Sequence, residues 1–105
     1  MGPSSLSLAR SFAEVTGHLE DDKQLFLDKY LLGTSRTRSL NSLITDSAAG
    51  ATAFSCGIHT YNNAIAVDDN QRPCGTVLEA AKEKGLMTGI VVTSSVTDAT
   101  PGLNL

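Results

Sequence analysis

The sequence predicts an α/β fold, an incomplete portion of a mostly parallel sheet with flanking helices. Leu40-Asn41-Ser42-Leu43-Ile44-Thr45 reads as a short strand that runs through Asp46-Ser47 into a helix of small residues. Thr76 to Gly85 reads as a capped helix, and Leu86 to Thr93, with the apolar core Ile90-Val91-Val92, as a buried strand just after it. Two strands joined by a helical crossover pair parallel far more readily than antiparallel.

The elements follow in order. Pro3 suits a first helical position, and Leu8, Phe12 and Val15 stand at i, i+4 and i+7, so a helix is expected from Pro3 to about Gly17. Gly17–Lys23 is polar and acidic, hence a loop. Lys23–Leu32 is apolar but ambiguous in period, and Gly33–Ser39 reads as an exposed connection rich in Ser, Thr and Arg. After Ser47, the run Ala48-Ala49-Gly50-Ala51-Thr52-Ala53-Phe54 predicts a closely packed helix with Gly57 as its stop. Ile58–Pro73 carries Asn62, Asn63, Asp68, Asp69 and Asn70 as turn formers. Thr76 with Glu79 forms a capping box, Val77, Leu78 and Ala81 an apolar face, and Gly85 the left-handed terminator. Asp98-Ala99-Thr100-Pro101 begins a further helix.

Length and composition bound the function. A chain of 105 residues allows one small domain. With 41% hydrophobic and 18% charged residues and a net charge of −3, it is ordinary for a globular protein and gives no reason to expect nucleic acid or an anionic membrane as partner. No apolar run approaches the roughly 18 residues that span a bilayer, and Met1-Gly2-Pro3-Ser4-Ser5 lacks a secretion signal. Cys56 and Cys74 sit in no CxxC pair; they read as two ordinary thiols, with a single disulfide as the alternative.

Two places carry chemistry. Ser47 stands where a helix begins, facing free backbone N–H groups and the positive dipole end, a setting that binds phosphate. The same position suits a plain helix cap. A serine hydroxyl needs activation, yet His18 and His59 have no sequence tie to Ser47 and the GxSxG elbow is missing, which leaves metal coordination as the route. Asp98 and Thr100 follow the second expected strand as Ser47 follows the first, at the edge where α/β sheets collect ligands. Their oxygens suit a hard cation such as magnesium, while Asp98 also suits a cap. Phosphate-loop and dinucleotide signatures are absent. Asp21-Asp22 and Asp68-Asp69 read as solvated turns, and Arg36 and Arg38 as surface charges, with attraction of a phosphate as the alternative.

The segment Ile44-Thr45-Asp46-Ser47-Ala48-Ala49-Gly50-Ala51-Thr52-Ala53-Phe54 closely resembles the nucleophile region of alkaline phosphatases. The likeness continues through Gly57–Asn62, Ala64–Asp68, Thr76–Ala81, Gly85–Gly89, Thr93 and Thr97–Pro101, and Gly33–Ser39 resembles the fungal branch. The resemblance implies an alkaline phosphatase-like fold and hydrolysis of phosphate monoesters through a phosphoserine, with Zn2+ and Mg2+ as cofactors. It implies that Ser47 takes the phosphoryl group and contacts a zinc. Asp46 would help orient a phosphate-binding arginine, and Asp98 and Thr100 would serve the magnesium site. It also implies a full-length enzyme that is often homodimeric and, in fungi, often vacuolar; no residue here carries an address.

The departures imply a fragment. Met1-Gly2-Pro3 resembles the end of a family motif whose metal-binding aspartate would precede Met1. The phosphate-clamping arginine and the zinc-binding His/Asp set would follow Leu105, and Gly102-Leu103-Asn104-Leu105 leaves the family pattern. Residues 1–105 are thus expected to be a partial domain, inactive and poorly stable alone. Other readings are a non-catalytic phosphate-binding module and a non-functional truncated product.

Overall fold

In the computed structural model, residues 3–19 and 24–103 are described, and the chain divides into two compact units, Met1–Ser35 and Arg36–Leu105. Residues 20–23 of the expected Gly17–Lys23 loop, with Asp21-Asp22, lie outside the described residues.

The first unit holds α1, Pro3–Thr16. Gly17 adopts φ 69°, and the N–H groups of His18 and Gly17 reach back to Ala13 O (2.8 Å) and Glu14 O (3.3 Å), a Schellman closure that satisfies the last carbonyls. The apolar stripe forms at the expected spacing, but Leu8, Phe12 and Val15 are exposed. The ambiguous stretch becomes a 3₁₀ helix, Phe26–Tyr30. Asp28 holds it: its carboxylate accepts from the Leu25 N–H (2.8 Å) and from both terminal nitrogens of Arg10 (2.6 and 3.0 Å). Those bonds hold the Asp28 carboxyl below the usual carboxylate range, Arg10 first and the Leu25 N–H second.

The second unit is built around α2, Ser47–Cys56. Its buried face is Ala48, Ala49, Ala51 and Thr52, small residues that let α3 (Val77–Glu83) and α4 (Ala99–Gly102) pack against it. Gly57 closes α2 at φ 72°, as expected of a left-handed stop. The fully buried Thr52 latches α2 to the following loop, since its hydroxyl donates to Ala64 O (3.0 Å) and accepts from the Ala66 N–H (3.2 Å). Residues 58–76 otherwise form turns with one antiparallel bridge, Val67 with Pro73. The α3 capping box is complete, with the Thr76 N–H on Glu79 Oε2 (2.7 Å) and the Glu79 N–H on Thr76 Oγ1 (3.2 Å). Pro101 and Leu103 bury α4, and a side chain at Gly102 would press on Thr97 O at 3.3 Å.

Three expectations change. Neither Leu40–Thr45 nor Leu86–Thr93 is a strand, and no strand ladder occurs among the described residues. A strand exists only through a neighbour's backbone groups. Around Leu40–Thr45 those groups pair mostly with side chains instead, and Leu86, Met87 and Val91 are exposed. The cysteines are not two thiols: Cys56 and Cys74 are disulfide-bonded, with Cα atoms 6.0 Å apart. Gly57 and the Thr52 latch turn the chain back so that two residues 18 apart in sequence meet. Finally, the Gly33–Ser39 connection is exposed except toward its end, where Ser39 is buried.

Candidate active site at the start of α2

Asp46, not Ser47, caps α2. Its Oδ1 accepts from the Ala49 N–H at 2.8 Å, while its Oδ2 accepts from the Asn63 N–H at 2.7 Å. The capping duty that made Ser47 ambiguous is therefore taken by its neighbour. Ser47 is the first helical residue and exposed, and its hydroxyl makes no hydrogen bond among the described residues. It stands beside the unpaired N–H groups and the positive end of a ten-residue helix.

The approach to Ser47 is held by side chains. Asn62 acts as a substitute strand: its Nδ2 donates to Ile44 O (3.0 Å) and its Oδ1 accepts from the Asp46 N–H (3.1 Å). The Asn62 N–H is anchored by Asn41 Oδ1 (2.9 Å), which also accepts from Ser39 Oγ (2.9 Å). The Ser39 N–H donates to Thr45 Oγ1 at 3.0 Å, and the Leu40 N–H to Thr60 O at 2.9 Å. Such fixed geometry matters for phosphoryl transfer, which depends on positioning.

Asp98 occupies the cap position of α4 but makes no side-chain cap bond, and its exposed carboxylate has no hydrogen bond or ion pair among the described residues. Thr100 follows two residues later, exposed. Because α4 packs on α2, Ser47, Asp98 and Thr100 belong to the starts of two touching helices. Asp46 has both oxygens engaged by backbone N–H groups, so here it shapes the turn. His18 bonds Thr16 (2.9 Å) and His59 is exposed; neither is hydrogen-bonded to Ser47.

Sequence reasoning passed over Asn41 and Asn62. Asn62 stood as a turn former; a clearer signal was its place in an Asn-Asn pair soon after a helix stop, where a side-chain amide can replace a backbone partner.

Comparison with known proteins places the chain in a family. The family model for alkaline phosphatase matches residues 1–104. Alkaline phosphatase of the fission yeast Schizosaccharomyces pombe is 66% identical over 101 residues, covering 96% of this chain and 19% of that protein. Among solved structures, the cold-active alkaline phosphatase of a psychrophilic Shewanella superposes with a TM-score of 0.82 at 40% identity, over 100% of this chain and 27% of its own. A mutant of TAB5 alkaline phosphatase with magnesium bound in its M3 site matches at TM-score 0.63 and 38% identity, over 74% of this chain and 26% of its own. The chain belongs to the alkaline phosphatase family and has that family's fold over this stretch. It spans about a fifth of the length of the curated relative it matches.

Proposed function

We propose that this chain carries the nucleophile of a phosphomonoesterase, within a partial alkaline phosphatase-like domain that contributes to a mostly parallel sheet. The observation that carries the reading is the division of labour at α2: Asp46 caps the helix and leaves the Ser47 hydroxyl unbonded at its positive end. Ser47 Oγ forms a bond to phosphorus as the ester P–O bond breaks; the hydroxyl proton leaves to solvent and the departing alkoxide takes one up. Water then attacks the phosphorus of the phosphoserine, the Oγ–P bond breaks, Oγ regains a proton and inorganic phosphate leaves. The N–H groups of the first turn that Asp46 does not engage stabilise charge on the phosphoryl oxygens.

The donor set fits magnesium in part. Asp98 and Thr100 offer hard oxygens, and the Asp98 carboxylate is uncommitted. Bound there, magnesium would supply positive charge to offset that of a phosphoryl group. Zinc does not fit the described residues. No group of three His, Cys, Asp or Glu side chains among them converges, and both cysteines are in the disulfide. The isolated chain should therefore turn over negligibly, and the full-length activity would need ligands from elsewhere in the enzyme.

A chimera tests this, with these residues replacing the matching segment of the fission-yeast relative. It should hydrolyse an aryl phosphate and gain one phosphoryl group at Ser47, detected by intact mass, and Ser47→Ala should lower the rate at least roughly a thousandfold. An active Ser47→Ala chimera would refute the assignment. Reversible phosphate binding without a covalent adduct would favour the non-catalytic module, a reading supported by the absence of any described base bonded to Ser47.

A further inference from the structure

Arg36 and Arg38 sit where the chain leads into the Ser47 turn. Over residues 36–40 exposure alternates: Arg36, Arg38 and Leu40 are exposed, Thr37 half-buried, Ser39 buried. This period of two places both guanidinium groups on the outer face of one length of backbone. The backbone beneath them is fixed by the Ser39–Thr45, Ser39–Asn41 and Leu40–Thr60 bonds. Thr37 Oγ1 lies 4.0 Å from where a side chain on Gly50 of α2 would begin, so the segment runs beside the helix that Ser47 opens.

Neither arginine makes a hydrogen bond or ion pair among the described residues, in a chain whose net charge is −3. Both line a cavity of about 570 Å³ whose wall runs from Arg36 along Ser39, Asn41 and Ser42 to Thr45. That volume lies in the range of small-molecule sites. Thr45 is two residues from Ser47, so the inner edge of the cavity comes within about 7 Å of the serine along the chain. Guanidinium groups match phosphate and carboxylate oxygens in a two-pronged geometry.

We propose that Arg36 and Arg38 form an anion-binding shelf that selects phosphate esters carrying a second anionic group beyond the phosphate at Ser47. The shelf deepens the phosphomonoesterase reading and rests on it for the identity of the first phosphate. It holds the distal group by charge, so its contribution falls as ionic strength rises.

The test titrates the Ser47→Ala chimera, which cannot form the phosphoserine, with fructose 1,6-bisphosphate and with fructose 6-phosphate, the same sugar with and without a second phosphate. The bisphosphate should bind more tightly. R36Q/R38Q should weaken bisphosphate binding about fivefold and leave the monophosphate unchanged; R36K/R38K should retain most of the preference at low salt. Equal affinity for the two sugars, or loss of both together in R36Q/R38Q, would overturn the shelf. Failure of the phosphoserine reading would appear separately, as no covalent adduct in the chimera.

Discussion

Asp46 and Ser47 have adjacent but different tasks, and the two substitutions should separate them. Asp46 joins the Ala49 and Asn63 amides, so Asp46→Ala removes a cap worth about 1 kcal/mol and leaves the Asn63 N–H without its partner. Hydrogen exchange of both amides should accelerate several-fold. Ser47 contributes no bond to the helix, so Ser47→Ala should leave those rates unchanged while abolishing the adduct. Equal acceleration in the two variants would mean that Ser47 is structural. Thr52 shows the same economy of side-chain bonding, for one hydroxyl serves both a carbonyl and an amide of the loop after α2.

At the scale of elements, α3 depends on its capping box. Glu79 accepts from the Thr76 N–H, and that bond, with Thr76's hydroxyl second, holds its carboxyl below the usual glutamate range. A lowered folded-state pKa means that the charged form is favoured by folding. The contribution is fully present above the unfolded value, near 4.5, and is lost as pH falls through the lower folded value. Amide shifts of Thr76 and Glu79 should thus hold constant from neutral pH to about pH 5 and move together below it. Glu79→Gln should flatten that response; an unchanged titration would show that the box does not form. The disulfide acts on the same element pair. Joining Cys56 to Cys74 fixes the end of α2 to the chain entering α3, and closing a loop of this length stabilises by about 3 kcal/mol on a chain-entropy view.

For the molecule as a whole, apolar surface left in water is the governing fact. Among the described residues the buried apolar side chains are mainly alanines with Leu103, whereas Leu32, Leu43, Met87 and Val91 are almost wholly exposed. Alanine burial contributes little, and exposed patches of this kind ordinarily meet another surface. The isolated chain should bind a hydrophobic dye strongly and melt broadly; a sharp transition without dye binding would count against this. No helix among the described residues is long and apolar enough to cross a membrane, so these side chains do not form a helical span.

What the sequence determined by itself was local. The ends of α1, α2 and α3, with Gly17, Gly57, Gly85 and the Thr76–Glu79 box, follow from interactions within a few residues, so neighbouring letters suffice. Ser47, Asp98 and Thr100 stood out as candidates through the resemblance of their segments to a family motif, in which residue types recur in order. Tertiary structure alone decided the rest. Asp46 caps α2 locally, but its second oxygen takes the Asn63 N–H from far along the chain. Cys56 and Cys74 became a disulfide because the loop between them folds back on Thr52. Leu40–Thr45 stayed irregular because Asn62 and other distant groups satisfied its backbone, and a strand requires a partner that no short stretch of sequence can name.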